Sequence, residues 1–342
     1  MENKKLPIIK PPIIGLHYHA YPLSAVLSHK QYWAWFFSHY IQVYGVKNFS
    51  EVWGSPWYNF ASFDIWYYGI PYISNNHMLD KRAVIENKID IGALVKSYIE
   101  RGWYTYAEID DFFIPFRESY QKCRKPHDIF IFGYDLKENS FETVGFNINQ
   151  EYSFDKLDFR DFEKAFSDNY ASMSKEDLGG INFIRFFKVI EEPDCEFDIK
   201  LVKESINDYL NSVDTMEKYR MYRTPPQGRV YGMETYYYLK EYFRLIIEQK
   251  LSYDIRPIHL FWEHKSCMLL RLKYMCENNL IKKRTLVYDE YKNIENQAFI
   301  ARNFMIKYKL TNNSNNLKKI IDILDNLENV ERALLTSVLE EL

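Results

Sequence analysis

Lys125-Pro126-His127-Asp128-Ile129-Phe130-Ile131-Phe132-Gly133-Tyr134-Asp135 is the stretch from which the fold is read. A histidine opens a short apolar run that closes on Gly-Tyr-Asp. The alternating character resumes at Ser140-Phe141-Glu142-Thr143-Val144-Gly145-Phe146-Asn147. Runs of β-branched and aromatic residues bounded by turn formers, here Lys137-Glu138-Asn139, read as strands. The two make a hairpin with His127 at one mouth and Asn147 at the other. In that geometry a side-chain carbonyl on one strand orients an imidazole on its neighbour. The plainer alternative is a structural hairpin whose histidine stands where the strand begins.

Upstream, residues 1–16 carry Pro7, Pro11 and Pro12 and read as an extended leader. The segment from Leu16 to Leu27 reads as a strand or turn feeding a helix, with Pro22 in the first helical turn. Trp33, Phe36, Phe37, Tyr40, Ile41 and Tyr44 fall at helical spacing, so Leu23 to Tyr44 predicts a central, buried helix. Asp90 to Arg101 is amphipathic, capped by Asp90 and closed by Gly102, and Trp103 to Ile109 alternates as a strand. Downstream, Phe154 to Tyr170 reads as a loop and helix, and Ile181 to Ile190 as a strand.

Beyond about residue 194 the texture turns helical: Asp198–Leu210, Gly232–Gln249, Arg256–Asn278, Asp289–Leu310, and two amphipathic segments within Leu317–Leu342. Thr224-Pro225-Pro226-Gln227-Gly228 breaks this series. The expected fold class is α+β: a mixed domain over residues 1–193, followed by an all-helical domain over 194–342.

Charge excludes some functions. Lys+Arg (44) and Asp+Glu (47) nearly balance at a net charge of −3 and are interspersed, which makes no electrostatic case for nucleic acid or an anionic membrane. The apolar stretch from Tyr32 to Val46 is interrupted by Ser38, His39 and Gln42 and is too short for a bilayer. Cys123, Cys195, Cys267 and Cys276 form no C-x-x-C pair and follow no signal peptide, so free thiols in the cytoplasm are expected. The 29 tyrosines either line an amphipathic cleft or reflect a codon bias that raises Tyr, Ile, Asn and Lys together.

Several residues bear chemistry. A histidine on a strand can deprotonate a nucleophile at a helix N-terminus while a third side chain holds its tautomer. The chain offers a helix start at 21–25, then His127, then Asn147 or Asn149. On a strand His17 and His19 would share one face, and zinc would need a third ligand such as His127 or Asp110. With no H-E-x-x-H and no paired C-x-x-C, no metal is expected. His259 and Glu263 form an i,i+4 pair with Arg256 one turn before, either a polar patch or an interior network. Lys265, Arg271 and Lys273 form a basic edge, for an acidic partner or simply solvated. Asp110 and Asp111 point to opposite faces of a strand and cannot pair as acid and base; one of them faces the cleft. Gly179-Gly180 lacks the surroundings of a phosphate loop, so no nucleotide or other cofactor is expected.

Taken together, Gly102-Trp103-Tyr104, Ile109-Asp110-Asp111-Phe112-Phe113-Ile114-Pro115, His127-Asp128-Ile129, Gly133-Tyr134-Asp135, Phe146-Asn147, Phe159 and Phe162 resemble the N-terminal domain of the butirosin biosynthesis protein H family. That family is similar to papain-like peptidases of the bacteriocin-processing type. Arg256-Pro257-Ile258-His259-Leu260-Phe261-Trp262-Glu263-His264-Lys265 resembles a segment of related proteins encoded beside peptide-synthetase genes. The resemblance covers about residues 16–165 plus that segment. It implies a papain-like domain with an antiparallel sheet and central helix, acting in natural-product assembly. The implied reaction is acyl transfer from a carrier-protein thioester to an amine, with an acyl carrier protein or peptide-synthetase component as partner and a small-molecule substrate.

The family's nucleophilic cysteine belongs near the start of the first helix, about where Tyr21 to Ser24 lie. No cysteine precedes Cys123, which is on the same local segment as His127. Ser24 is the hydroxyl placed to substitute, though an alkoxide needs a stronger base than a thiolate; otherwise it bonds helix backbone. Two functions follow. One is a papain-like acyltransferase or hydrolase using Ser24 (or another nucleophile), His127 and Asn147. The other is a catalytically degenerate papain-fold protein that binds a substrate, peptide or carrier protein. Substrate contacts are expected from His17, His19, Tyr21, Asp110, Asp135 and His259.

Overall fold

A computed structural model describes residues 2–52, 54–61, 70, 72–172, 183–190, 195–218, 228–282 and 284–342. The chain divides into two units, residues 1–32 with 69–194, and residues 33–68 with 195–342. The fold is α+β, as expected. The sequence boundary expected at 193/194 lies beside the division at 194/195, but residues 33–68 belong to the second unit rather than the first. Residues 224–227 of the expected break, residues 181–182 of the expected strand, and Gly179-Gly180 lie outside the described residues.

The first unit opens with β1 (Asn3–Lys5) and α1 (His17–Val26). After the segment given to the second unit it continues with β4 (Ile73–Asp80), α4 (Lys81–Glu86), α5 (Ile91–Glu100), β5 (Tyr104–Asp110), β6 (Pro126–Asp135), β7 (Ser140–Phe146), β8 (Tyr152–Asp158), α6 (Phe159–Ser172) and β9 (Phe183–Val189). Its antiparallel sheet runs β4-β9-β5-β6-β7-β8, and β1 pairs with the far end of β6. Asp90 caps α5 by accepting from Ala93 N at 2.8 Å, and Gly102 follows that helix at φ +85°. The segment from residue 154 is strand before it is helix, since β8 completes the meander that the hairpin begins.

One face of the sheet receives α1, whose Tyr21 ring stacks on Phe130 at 5.3 Å and meets Tyr106 edge-on at 5.4 Å. Thr105, next to Tyr106, points the other way, as does its partner Phe186, on which Tyr98 of α5 stacks. Gly133 is where β1 lies against β6, paired with Lys5. A Cβ there would stand 2.6 Å from the Lys4 carbonyl oxygen, so only glycine admits this approach.

Two helix expectations change. The first helix begins at His17, not at Tyr21, and Pro22 lies inside it. Pro22 therefore deletes one helical hydrogen bond instead of opening the first turn. The expected long helix from Leu23 to Tyr44 is broken into α1, a short 3-10 turn (Lys30–Tyr32), α2 (Trp33–Ser38) and the strand β2 (Val43–Val46).

In the second unit α2 and β2 are followed by α3 (Phe49–Val52), β3 (Asn59–Phe60), α7 (Ile199–Leu210), β10 (Arg229–Tyr231), α8 (Thr235–Ile247), α9 (Arg256–Glu277), α10 (Arg284–Thr311) and α11 (Asn315–Glu341). A three-stranded antiparallel sheet, β10-β2-β3, stands among the helices, so this unit is not all-helical. The C-terminal segment is one 27-residue helix rather than two pieces. Arg271 of α9 is fully buried and explains where α2 stops. Its Nε donates to the Phe37 carbonyl at 2.6 Å, and its Nη2 to the carbonyls of His39 and Tyr40. The Phe37 carbonyl is one that the helix end leaves unpaired, those of His39 and Tyr40 follow it, and Tyr40 turns the chain away at φ 54°.

Lys265 and Arg271 are both buried, so the expected basic edge is absent; of its three residues only Lys273 reaches solvent. No helix among the described residues is long and apolar enough to cross a membrane.

Candidate functional site

The hairpin histidine lies at the end of the first unit's sheet where β6 and β7 part. Pairing between them runs to Phe130↔Val144, and continuing the register would set Asp128 against Phe146. Instead the guanidinium of Arg117 occupies that place. It donates from Nη1 to the Phe146 carbonyl at 2.6 Å and from Nη2 to the Asp128 carbonyl at 3.3 Å, one bond to each strand. Arg117 is buried, and Gly145 makes room for it. A Cβ on Gly145 would lie 2.6 Å from Arg117 Nη2 and 3.0 Å from the Tyr21 hydroxyl.

Around this wedge the first turn of α1 meets the strand ends. Tyr21 donates its hydroxyl to the Asp128 carbonyl at 3.2 Å, and His17 Nδ1 lies 3.2 Å from the same hydroxyl. The His17 ring stacks on Phe146 at 5.6 Å and meets the His127 ring edge-on at 4.8 Å. From the turn after β5, Asp111 directs one carboxylate oxygen at Arg117 Nε (3.7 Å) and the other at His127 Nδ1 (4.0 Å). Asp111 Oδ1, Arg117 Nε and His127 Nδ1 are all buried without a hydrogen-bond partner, and the carboxylate faces the other two across gaps slightly too wide to be bonds.

Burial dominates the electrostatics. It depresses His127 to about 4, with Arg117 and Lys125 adding to the effect, and holds His17 well below its ordinary value. The same desolvation raises Asp111 to about 6 against the opposing pull of Arg117, and Asp128 to about 6 despite a 2.8 Å hydrogen bond from Tyr106. Near neutral pH the site holds two neutral imidazoles and two carboxylates close to the point of protonation. Burial likewise raises the Tyr21 phenol, so it stays protonated.

The other expected residues lie elsewhere. Ser24 is the eighth residue of α1, fully buried; its hydroxyl donates to the Ala20 carbonyl at 2.8 Å and lies 2.9 Å from the Tyr152 hydroxyl. Asn147 turns its Oδ1 to the backbone N–H groups of Asn149 (2.9 Å) and Glu151 (3.1 Å), holding the turn between β7 and β8 instead of an imidazole. Asp110 is buried and caps the turn, accepting from Phe112 N, Lys125 N and Arg124 Nη1. Asp135 holds the hairpin turn at the opposite end of β6, roughly 26 Å of strand away from His127. His19 is buried in the helix, and because helical residues two apart diverge by about 200°, it does not share the face of His17.

His259 belongs to the second unit, where both ring nitrogens are engaged. Nε2 faces Glu263 at 3.1 Å and Nδ1 accepts from Arg302 at 2.8 Å, which ties α9 to α10. No group of three or more His, Cys, Asp or Glu able to hold a metal ion occurs among the described residues.

Arg117 is the residue of this cluster that sequence reasoning missed; of the two carboxylates weighed for the cleft, it is Asp111 and not Asp110 that faces His127. Gly145, a glycine within a strand of otherwise large residues, was the signal that something approaches the backbone there. The first unit is thus an antiparallel sheet with a helix start, two histidines, a buried arginine and a carboxylate at one end. No protein-family model matches the chain, and neither does any curated protein.

Proposed function

We propose that the chain is a papain-like protein of thiotemplated natural-product assembly that binds its ligand, a carrier-borne acyl group, a peptide or a small amine, without forming a covalent acyl intermediate. One observation carries this reading. No hydroxyl or thiol among the described residues is hydrogen-bonded to the His127 ring, and the Ser24 hydroxyl is spent on Ala20 and Tyr152. A nucleophile must lie within hydrogen-bond reach of its base. The helix start set against a strand histidine on an antiparallel sheet agrees with the papain-like resemblance. All four cysteines are free, which suits a cytoplasmic setting.

Acyl transfer from a carrier-bound thioester to an amine keeps one support of its own. A neutral imidazole can take a proton, and His127 is held neutral, so an amine attacking the thioester directly would find a base there, though one weakened by its depression to about 4. The purified chain, mixed with an acyl-loaded carrier protein and then examined by intact-protein mass spectrometry and by titration calorimetry, tests both readings. Binding without an acylated chain is expected. An acyl adduct mapping to the Ser24 peptide would overturn the non-covalent reading, and amide product appearing with added amine would favour the transfer reading.

A further inference from the structure

The two imidazoles of the site can be assigned their protons. With the Tyr21 hydroxyl hydrogen on the Asp128 carbonyl, beside the Arg117 Nη2 donor, the His17 Nδ1 that faces the Tyr21 oxygen is the protonated nitrogen. His127 Nδ1 faces the Asp111 carboxylate, whose charge favours a proton on that nitrogen also. Each ring then carries its lone pair on Nε2. Neither Nε2 is bonded within the chain, and neither is among the buried polar atoms without a partner, so both meet solvent. The rings are 4.8 Å apart, with Phe146 closing one side by stacking on His17.

We infer that His17 and His127 form a paired hydrogen-bond acceptor, both presenting an unprotonated Nε2 to solvent, for an N–H donor of the ligand, an amine or an amide. This narrows the ligand of the binding site just proposed and rests on that site being where the ligand lies. Of the charged groups around the pair, the cations Arg117 and Lys125 add to burial in keeping both imidazoles neutral. Arg117 spends its guanidinium on the Phe146 and Asp128 carbonyls and turns only Nε to Asp111, so it offers nothing to an incoming anion. Asp111 and Asp128 place negative charge behind the pair, while Lys125 is exposed just before β6. A carboxylate on the ligand would meet two lone pairs; an ammonium or amide N–H would meet two acceptors.

The experiment uses the intact wild-type chain. Long-range ¹H–¹⁵N spectra of its imidazole nitrogens are recorded alone, with benzylamine, and with benzoate as an acceptor-only probe; His17→Gln and His127→Gln each delete one ring's signals and so assign them. The result expected is a protonated Nδ1 and an unprotonated Nε2 in both rings, with benzylamine shifting both Nε2 resonances and benzoate leaving them in place. A protonated Nε2 in either ring, no response to benzylamine, or an equal response to benzoate would overturn the inference. None of these outcomes touches whether an acyl adduct forms, so the two readings fail separately.

Discussion

Ser24 Oγ and Tyr152 Oη lie 2.9 Å apart in the interior of the first unit, and that contact joins α1 to β8. The serine is therefore a packing hydroxyl. Ser24→Ala leaves a buried phenol short of a partner, which costs roughly 1–2 kcal/mol. Chemical denaturation should report that loss, while affinity for an acyl-loaded carrier protein stays unchanged. Normal stability together with abolished turnover would return Ser24 to the reaction.

Asp111 gives the protein a pH signature. Its folded carboxyl titrates at about 6, above the ordinary value of 3.8, so the folded state holds the proton more tightly than the unfolded chain. Its contribution to stability is present below about pH 4 and is lost as pH rises through 6. Asp111→Asn removes that loss. The variant should match wild type near pH 4 and exceed it at pH 8, by at most about 3 kcal/mol for a shift of roughly two units. Urea titrations at the two pH values decide it. A variant less stable at pH 8 would mean that the ion pair with Arg117 outweighs the burial of the charge.

Arg117 and Gly145 act as one device, a guanidinium wedged between strands and the bare backbone that admits it. Gly145→Ala forces the guanidinium or Tyr21 to move and should cost about 1–3 kcal/mol. Arg117→Lys should also destabilise, because a single ammonium cannot span the Asp128 and Phe146 carbonyls in the planar, two-pronged way arginine does. Once the wedge is gone the added methyl meets less resistance. The double variant should thus lose less than the two single losses combined, by more than about 0.5 kcal/mol. Strict additivity in denaturant midpoints would show that the residues are not coupled.

What could be read from the sequence was local. The hairpin announces itself through alternation and turn formers, and α5 through Asp90 and Gly102, because each signal is carried by the residues that form the element. The start of α1 was hidden: Leu16 offers no capping side chain, and Pro22 mimics a first-turn signal from inside the helix. The break after α2 was hidden for another reason, since the carbonyls that end it are held by Arg271, 234 residues beyond Phe37. His127 and His17 were legible as titratable residues in the right region. The Asp110-Asp111 pair was legible as holding one cleft-facing carboxylate, though not which; Arg117 was not, because its role depends on where two strands separate, and Asn147 was misread because its carbonyl was free to serve its own turn.

Lys265 and Glu331 of the second unit form a fully buried ion pair at 2.8 Å. Tyr209 and Tyr236 donate to Glu331 Oε2 at 2.8 and 2.7 Å, and Tyr291 donates to Oε1. Lys265 also reaches the Tyr209 oxygen at 2.8 Å and His264 Nδ1 at 3.2 Å, while His264 Nε2 meets the Ile41 carbonyl at 2.8 Å. The lysine thus has three partners for its three protons, and the carboxylate is surrounded by donors. Such a network contributes little net stability over apolar packing but is expensive to break from one side. Glu331→Gln keeps the shape and leaves the ammonium buried without its anion, so a loss of about 3–5 kcal/mol is expected. Lys265→Met in that background removes the stranded charge and should recover part of the loss. A double-mutant cycle in chemical denaturant measures this. If the double variant is less stable than Glu331→Gln alone, the pair is not what holds α9 to α11, and the tyrosine hydroxyls carry that role instead.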